Sequence, residues 1–214
     1  GTSPGRRHWE ADLAPLVVGP AGRLWRAHSD AVNGALVERW LPDVAGGRVL
    51  KTDLFDEAMG EGLHPLLAAR GFDVVAIDIA PSVMVAAASR HRALHVVAAD
   101  VRQLPFADAS FDVVVSNSTL DHFEARGDIL ASLLGLHRVL KPGGRLLITM
   151  DNLRHPAVAL RNALPHRTLR RLRLVDYPAG ATVGPRGLAR VMREARFEIV
   201  DSAAILHCPR VLGV

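Results

Sequence analysis

The spacing of apolar residues changes near position 45. Before it, Leu24, Ala27/His28, Ala31/Val32 and Ala35/Leu36 recur at helical intervals, which predicts helix within 6–42. Pro42 and the Gly46-Gly47 pair then stop the helix and start a turn. After it, short apolar runs at 49–50, 74–77, 96–98, 113–115 and 146–148 alternate with helical stretches at 66–69, 83–88 and 129–140. These runs are continuous rather than alternating, the mark of strands buried on both faces. Strands separated by helices predict an α/β fold, a doubly wound, mostly parallel sheet with helices on both faces. The expected organisation is one domain overall, with an N-terminal helical segment at 1–45 and the doubly wound sheet domain at 46–214. A helix over 185–196 leads into an expected sixth strand at 197–206.

Polar residues close several of these runs. The second strand ends at Asp78, the third at Asp100 and the fourth at Ser116-Asn117, while Leu140-Lys141-Pro142-Gly143-Gly144 turns into the fifth. In doubly wound sheets, ligands bind beyond the carboxyl ends of the strands, where the strand order reverses. Three polar strand ends therefore point to a ligand site.

Composition narrows the class. Hydrophobic residues make up 49% and charged residues 22% of 214, the balance of a folded globular chain. No apolar run has the length of a membrane-spanning helix. The single cysteine, Cys208, allows no internal disulfide and favours a reducing cytoplasm. The opening Gly1-Thr2-Ser3, without methionine, reads as a tag remnant, a processed start or an excised fragment. The net charge is +4, and every cation except Lys51 and Lys141 is an arginine. A charge of this size does not imply nucleic acid, which calls for a concentrated patch. The one arginine-rich stretch, 161–173, reads as a solvated helix face or as a platform for an anionic substrate.

Residues 45–205 resemble the class I S-adenosylmethionine-dependent methyltransferases. The resemblance rests on Asp73-Val74-Val75-Ala76-Ile77-Asp78, Ala99-Asp100-Val101-Arg102, Ser110-Phe111-Asp112-Val113-Val114-Val115-Ser116 and the turn at 140–144. It implies that Asp78 accepts hydrogen bonds from both ribose hydroxyls of S-adenosylmethionine, since one carboxylate can take two. It also implies that Asp100 meets the adenine amino group and that Val101 offers a backbone amide to the ring. Ile79, Met84 and Leu104 would then sandwich the ring, or simply pack in the core. Asn117 would lie beside the cofactor. No metal is implied.

The first motif departs from the family's glycine-any-glycine-any-glycine loop. Here the chain reads Lys51-Thr52-Asp53-Leu54-Phe55-Asp56-Glu57-Ala58-Met59-Gly60-Glu61-Gly62. If 49–50 is the strand, Asp53, Phe55 and Glu57 replace the glycines; if the motif is displaced, 58–62 takes the loop's place. The preferred register is the first, with a lengthened loop that turns Asp53, Glu57 and Gly60 toward the cofactor. A carboxylate there would bind the methionyl ammonium and attract the sulfonium.

Beyond the fourth strand, Ser116-Asn117-Ser118-Thr119-Leu120-Asp121-His122-Phe123 would pass the transferable methyl group. His122 is the candidate catalytic base, because histidine titrates near neutrality; an edge histidine on a helix start is the other reading. Ser29 and Asn33, four apart on the lid helix, share a face and reach either the site or solvent. The leading expectation is methyl transfer to a small-molecule acceptor. The alternatives are a catalytically inactive ligand-binding or scaffold domain and a nicotinamide-dependent oxidoreductase. The resemblance also implies a seventh, antiparallel strand, for which only 207–214 remain. Either 209–214 forms a very short seventh strand or the sequence is a truncated portion of a longer protein; without that strand, apolar edges of the fifth and sixth would favour a homodimer.

Overall fold

The computed structural model describes residues 20–41, 46–123, 125–152, 158–159 and 183–204. Helix α1 (Pro20–Trp40) precedes strand β1 (Arg48–Lys51), short helices α2 (Phe55–Met59) and α3 (His64–Ala69), and β2 (Asp73–Asp78). Helix α4 (Pro81–Arg90), β3 (His95–Ala98), β4 (Phe111–Asn117), α5 (Arg126–Val139), β5 (Leu140–Thr149) and α6 (Pro185–Glu194) follow. The five strands are all parallel, in the order β3-β2-β1-β4-β5. Between β1 and β4 the order reverses direction, so the switch point lies at the ends of these two strands.

The continuous apolar runs divide residue by residue between two cores. Val49, Val74, Ala76, Val113 and Val115 face one layer, which also takes Val37 and Leu41 from the end of α1. Leu50, Val75, Ile77 and Val114 face the other, packed against Ile129, Leu133 and Leu136 of α5 and Val191 of α6. Each such side chain contributes about 1.5–3 kcal/mol on burial, so neither sheet face tolerates a polar strand interior.

Two expectations are corrected. The turn at 140–144 is an outward loop inside β5: Phe111 pairs with Leu140, yet Val113 pairs with Arg145. Gly143 takes φ +78°, and a Cβ on Gly144 would stand 2.9 Å from the Lys141 carbonyl and 3.0 Å from that of Asp112. The bulge therefore requires both glycines. The sixth strand does not form over 197–204. That segment keeps strand-like alternation, with Phe197 and Ile199 packed on the α5 side and Val200 exposed, but it joins no ladder. Instead Asp201 accepts hydrogen bonds from Trp40 Nε1 (2.9 Å) and Arg39 (3.1 Å), returning the chain to α1. The arginine-rich stretch, the expected seventh strand and the first part of the lid lie outside the described residues. No described helix is long and apolar enough to cross a membrane.

Candidate functional site

Lys51 closes β1, and its ammonium is fully buried. Nζ donates to the Asp53 carbonyl (2.9 Å) and carboxylate (3.2 Å), and it lies 2.8 Å from Glu57 Oε2. Burial opposes a charged amine, yet Asp53, Glu57 and Asp56 hold its pKa above the ordinary lysine value. Glu57 is fully buried too. Its Oε1 accepts the Leu63 and His64 amides at 2.9 and 3.3 Å, satisfying the first donors of α3. Gly62 (φ +58°) makes room for this seat, since a Cβ there would stand 2.5 Å from Glu57 Oε1.

The strand register therefore follows the first of the two expected alternatives, but the three residues do not share one pocket. Glu57 is turned inward and spent on Lys51 and α3. Gly60 is partly buried and backs onto α1, where a Cβ would meet Arg26 Cγ and Asp30 Oδ2, each at 3.2 Å. Only Asp53 keeps an opening, with one fifth of its side chain exposed. Its Oδ1 accepts the Phe55 amide at 3.2 Å, and its Oδ2 stands 3.5 Å from the Thr119 hydroxyl beyond β4. Burial, against the opposing pull of Lys51, pushes the Asp53 carboxyl up to about 7.

Asp78 ends β2 beside this loop. Its two oxygens accept the Leu54 amide (3.1 Å) and the Ala80 amide (2.8 Å), tying β2 to the loop after β1. Burial raises its pKa, opposed by those amides and by Lys51. Each oxygen retains a second lone pair for a further donor. Asp100, after β3, is gripped by the Arg102 guanidinium, with Nη2 at 2.6 Å and Nε at 3.0 Å. Burial opposes its ionisation, but Arg102 dominates and lowers the pKa. Arg102 in turn stacks over Phe123, 5.4 Å from the ring centre. Val101 and Leu104 are core residues of the α5 layer. Met84 packs partly buried on the opposite layer, and Ile79 is half-buried between strand end and helix.

Across the switch point, hydroxyls join β1 to β4. Thr52 Oγ1 bonds Ser116 Oγ and Thr119 Oγ1, each at 2.9 Å. Ser118 holds φ +43°, a strained value for a non-glycine residue, fixed by its amide donating to Thr149. Asn117 is 93% buried, and its Nδ2 finds no partner among the described residues. Asp121 is also buried: Oδ2 accepts the Asp151 amide, while Oδ1 lies 4.0 Å from His122 Nε2. Burial raises the Asp121 pKa; His122 opposes the shift and Asp151 adds to it. Sequence reasoning singled out neither Lys51 nor Asp121. A lysine inside an apolar strand followed by two acids was the available signal for the first. Among the described residues, no group of three or more His, Cys, Asp or Glu side chains is placed to hold a metal ion.

The helix before the site is anchored by charge. Arg26 is buried and reaches Asp30 (3.2 Å) and Asp56 (2.9 Å), so α1 is ionically fastened to the loop after β1. Ser29 and Asn33 sit on the same buried face, 3.5 Å apart.

Comparison with known proteins places this geometry. Residues 55–148 match the methyltransferase domain family. The match begins directly after Lys51-Thr52-Asp53-Leu54, where the chain departs from the glycine pattern. The malonyl-[acyl-carrier protein] O-methyltransferase of Pseudescherichia vulneris is 40% identical over 79 residues, covering 37% of this chain and 30% of that protein. The demethylmenaquinone methyltransferase of Beutenbergia cavernae is 35% identical over 127 residues, covering 59% and 46%. The chain thus spans about half, or less, of the length of these curated relatives. The solved PH0226 protein of Pyrococcus horikoshii OT3 superposes with TM-score 0.62 at 21% identity, over 91% of this chain and 90% of that one. The fold is that of the class I S-adenosylmethionine-dependent methyltransferases, and residues 55–148 carry the match to the methyltransferase domain.

Proposed function

We propose that this chain transfers a methyl group from S-adenosylmethionine to a small-molecule acceptor. The observation that carries the reading is the row of acids at adjacent strand ends, Asp100, Asp78 and Asp53, leading to the switch point. The fit to the cofactor lies in charge and hydrogen bonding rather than in close backbone approach. Asp78 has lone pairs left for the ribose, and the unpartnered Asn117 amide offers a donor at the next strand end. The sulfonium supplies an already activated methyl group. The protein's own task is to align the acceptor with it and exclude water, which accounts for much of the rate of such transfers.

His122 accepts the acceptor's proton in this reading, and the buried Asp121 stands behind it. Asp100, already held by Arg102, meets the adenine edge with its remaining lone pairs. Helix α1, fastened through Arg26, covers the site as a lid. A reducing cytoplasm is the compartment assigned, on the strength of the lone Cys208. A homodimer through the free edge of β5 is the assembly assigned, since β5 pairs only with β4 among the described residues. Light scattering at high concentration tests the latter, and a monomer refutes it.

The test of the function is calorimetric titration with S-adenosylhomocysteine and, in parallel, NAD. Binding of the first alone supports the reading, and Asp78→Asn should weaken it about tenfold, the worth of one charge-assisted bond. Binding of NAD alone would point to an oxidoreductase. The filled glycine positions favour a second reading, a ligand-binding domain without turnover; a protein that binds S-adenosylmethionine yet methylates nothing across an acceptor panel would support it.

A further inference from the structure

The glycine positions of the resembling pattern carry no side chain, whereas here two of them, Asp53 and Glu57, are acids in a cluster with surplus negative charge. Lys51 serves both Asp53 and Glu57, and Arg26 serves both Asp30 and Asp56. Of these four carboxylates, Asp53 opens at the switch point, and the Thr119 hydroxyl that reaches it also donates to the Asn117 carbonyl. The strand order fixes what lies over it. With adenine toward β3 and ribose on Asp78 at β2, the sulfur bonded to the ribose C5′ advances one strand, about 4.8 Å, to the end of β1. That end is Asp53, whose carboxylate is linked through Thr119 to the segment carrying His122.

Resting on the methyltransferase reading, we propose that Asp53 is a specificity-determining residue that distinguishes the sulfonium of S-adenosylmethionine from the neutral thioether of S-adenosylhomocysteine. Both ligands carry the same ammonium and carboxylate, so they differ in the methyl group and in the charge it places on sulfur. Transfer of the methyl group removes that charge, and the product then loses its partner in the site. The device therefore favours substrate over product and hastens product release. At close range, between surface and bulk-water screening, one such charge is worth about tenfold to a hundredfold in affinity. Asp53, in the loop after β1, faces Lys51 at the end of that strand, Asp56 and Glu57 on α2, and Asp78 on β2. Its carboxyl titrates at about 7 in their company, so the discrimination should require a pH above that value.

The experiment is calorimetry of the full chain with S-adenosylmethionine and S-adenosylhomocysteine at about pH 6 and about pH 8.5. The expected result is tighter binding of S-adenosylmethionine at the higher pH, by about tenfold or more, shrinking at the lower pH. Asp53→Asn should bring the two affinities within about threefold at both pH values, chiefly by weakening S-adenosylmethionine. Asp53→Gly, and the pH comparison on the wild-type chain, keep the test decisive if Asp53→Asn does not fold. Binding of both ligands with equal affinity at the higher pH, or discrimination that survives Asp53→Asn, overturns the inference and leaves the methyltransferase reading standing. Failure of both ligands to bind overturns both.

Discussion

Glu57→Ala tests whether the buried ion pair stands in for the glycine turn. The substitution strands Lys51 Nζ in the interior with Asp53 as its remaining carboxylate, and it strips the acceptor from the Leu63 and His64 amides. Removing one member of a buried pair costs about 3–5 kcal/mol. Each orphaned amide adds about 1 kcal/mol or more, less whatever water recovers. A loss of about 4 kcal/mol is a large share of the 5–15 kcal/mol typical of a folded domain, corresponding to a fall in Tm of about 8–16 °C. Glu57→Gln separates the contributions, because its carbonyl still receives the amides while the charge on Lys51 loses its counterpart. It should cost roughly half as much. Urea denaturation followed by far-ultraviolet circular dichroism reads both. A loss under about 1 kcal/mol for Glu57→Ala, or no loss for Glu57→Gln, would show that the pair does not hold the loop.

Stability of the free protein should fall with rising pH where Asp53 loses its proton. Its carboxyl is raised from 3.8 to about 7 on folding, so that contribution is fully present below the unfolded value and gone above the folded one. Asp30, Asp78 and Asp121, also raised, act in the same direction, whereas Asp100 and Asp112 oppose it. Asp53→Asn should flatten the decline across pH 4–7, and an unchanged slope would count against the assignment. Arg26→Met should free α1 from the loop after β1, raising amide hydrogen exchange in both segments; protection equal to wild type would mean that apolar packing alone docks the helix. Lys141→Ala, by contrast, removes an exposed pair with Asp112 and should cost less than about 1 kcal/mol by thermal unfolding.

The sheet was legible because its central strands β1, β2 and β4 each hold an unbroken apolar run buried on both faces. The positions of Asp78, Asp100 and Asn117 followed directly, since a strand end is where the apolar run stops. Pairing was less legible. The alternation at 197–200 reports which side chains turn inward, but a ladder also needs a neighbour in register, and the pattern of one segment says nothing about that. The bulge at Gly143-Gly144 was visible as turn chemistry, although not as an interruption within a continuing strand. Charge was the hardest to read. Asp53 and Glu57 are four residues apart in the same acidic stretch, yet one opens to the crevice and the other is sealed inside. What divides them is Lys51 and the amides of α3, partners that spacing alone does not reveal. Asp100 illustrates the same limit: its strand-end position was readable, while its capture by Arg102 depended on a local turn.

The buried lysine also constrains how such a chain can diverge. Reaching an ordinary glycine loop from Lys51, Asp53 and Glu57 requires several substitutions, and the order in which they occur matters. Replacing Glu57 by glycine first leaves a buried ammonium short of a partner. Replacing Lys51 by an acid first crowds like charges into the interior, close to Asp56 and Asp78. Each single step is costly where the combined change is not, the behaviour expected of residues in direct contact. The two loop chemistries are thus separated by a valley in sequence space, and a lineage that has crossed it is held on the charged side by its own packing.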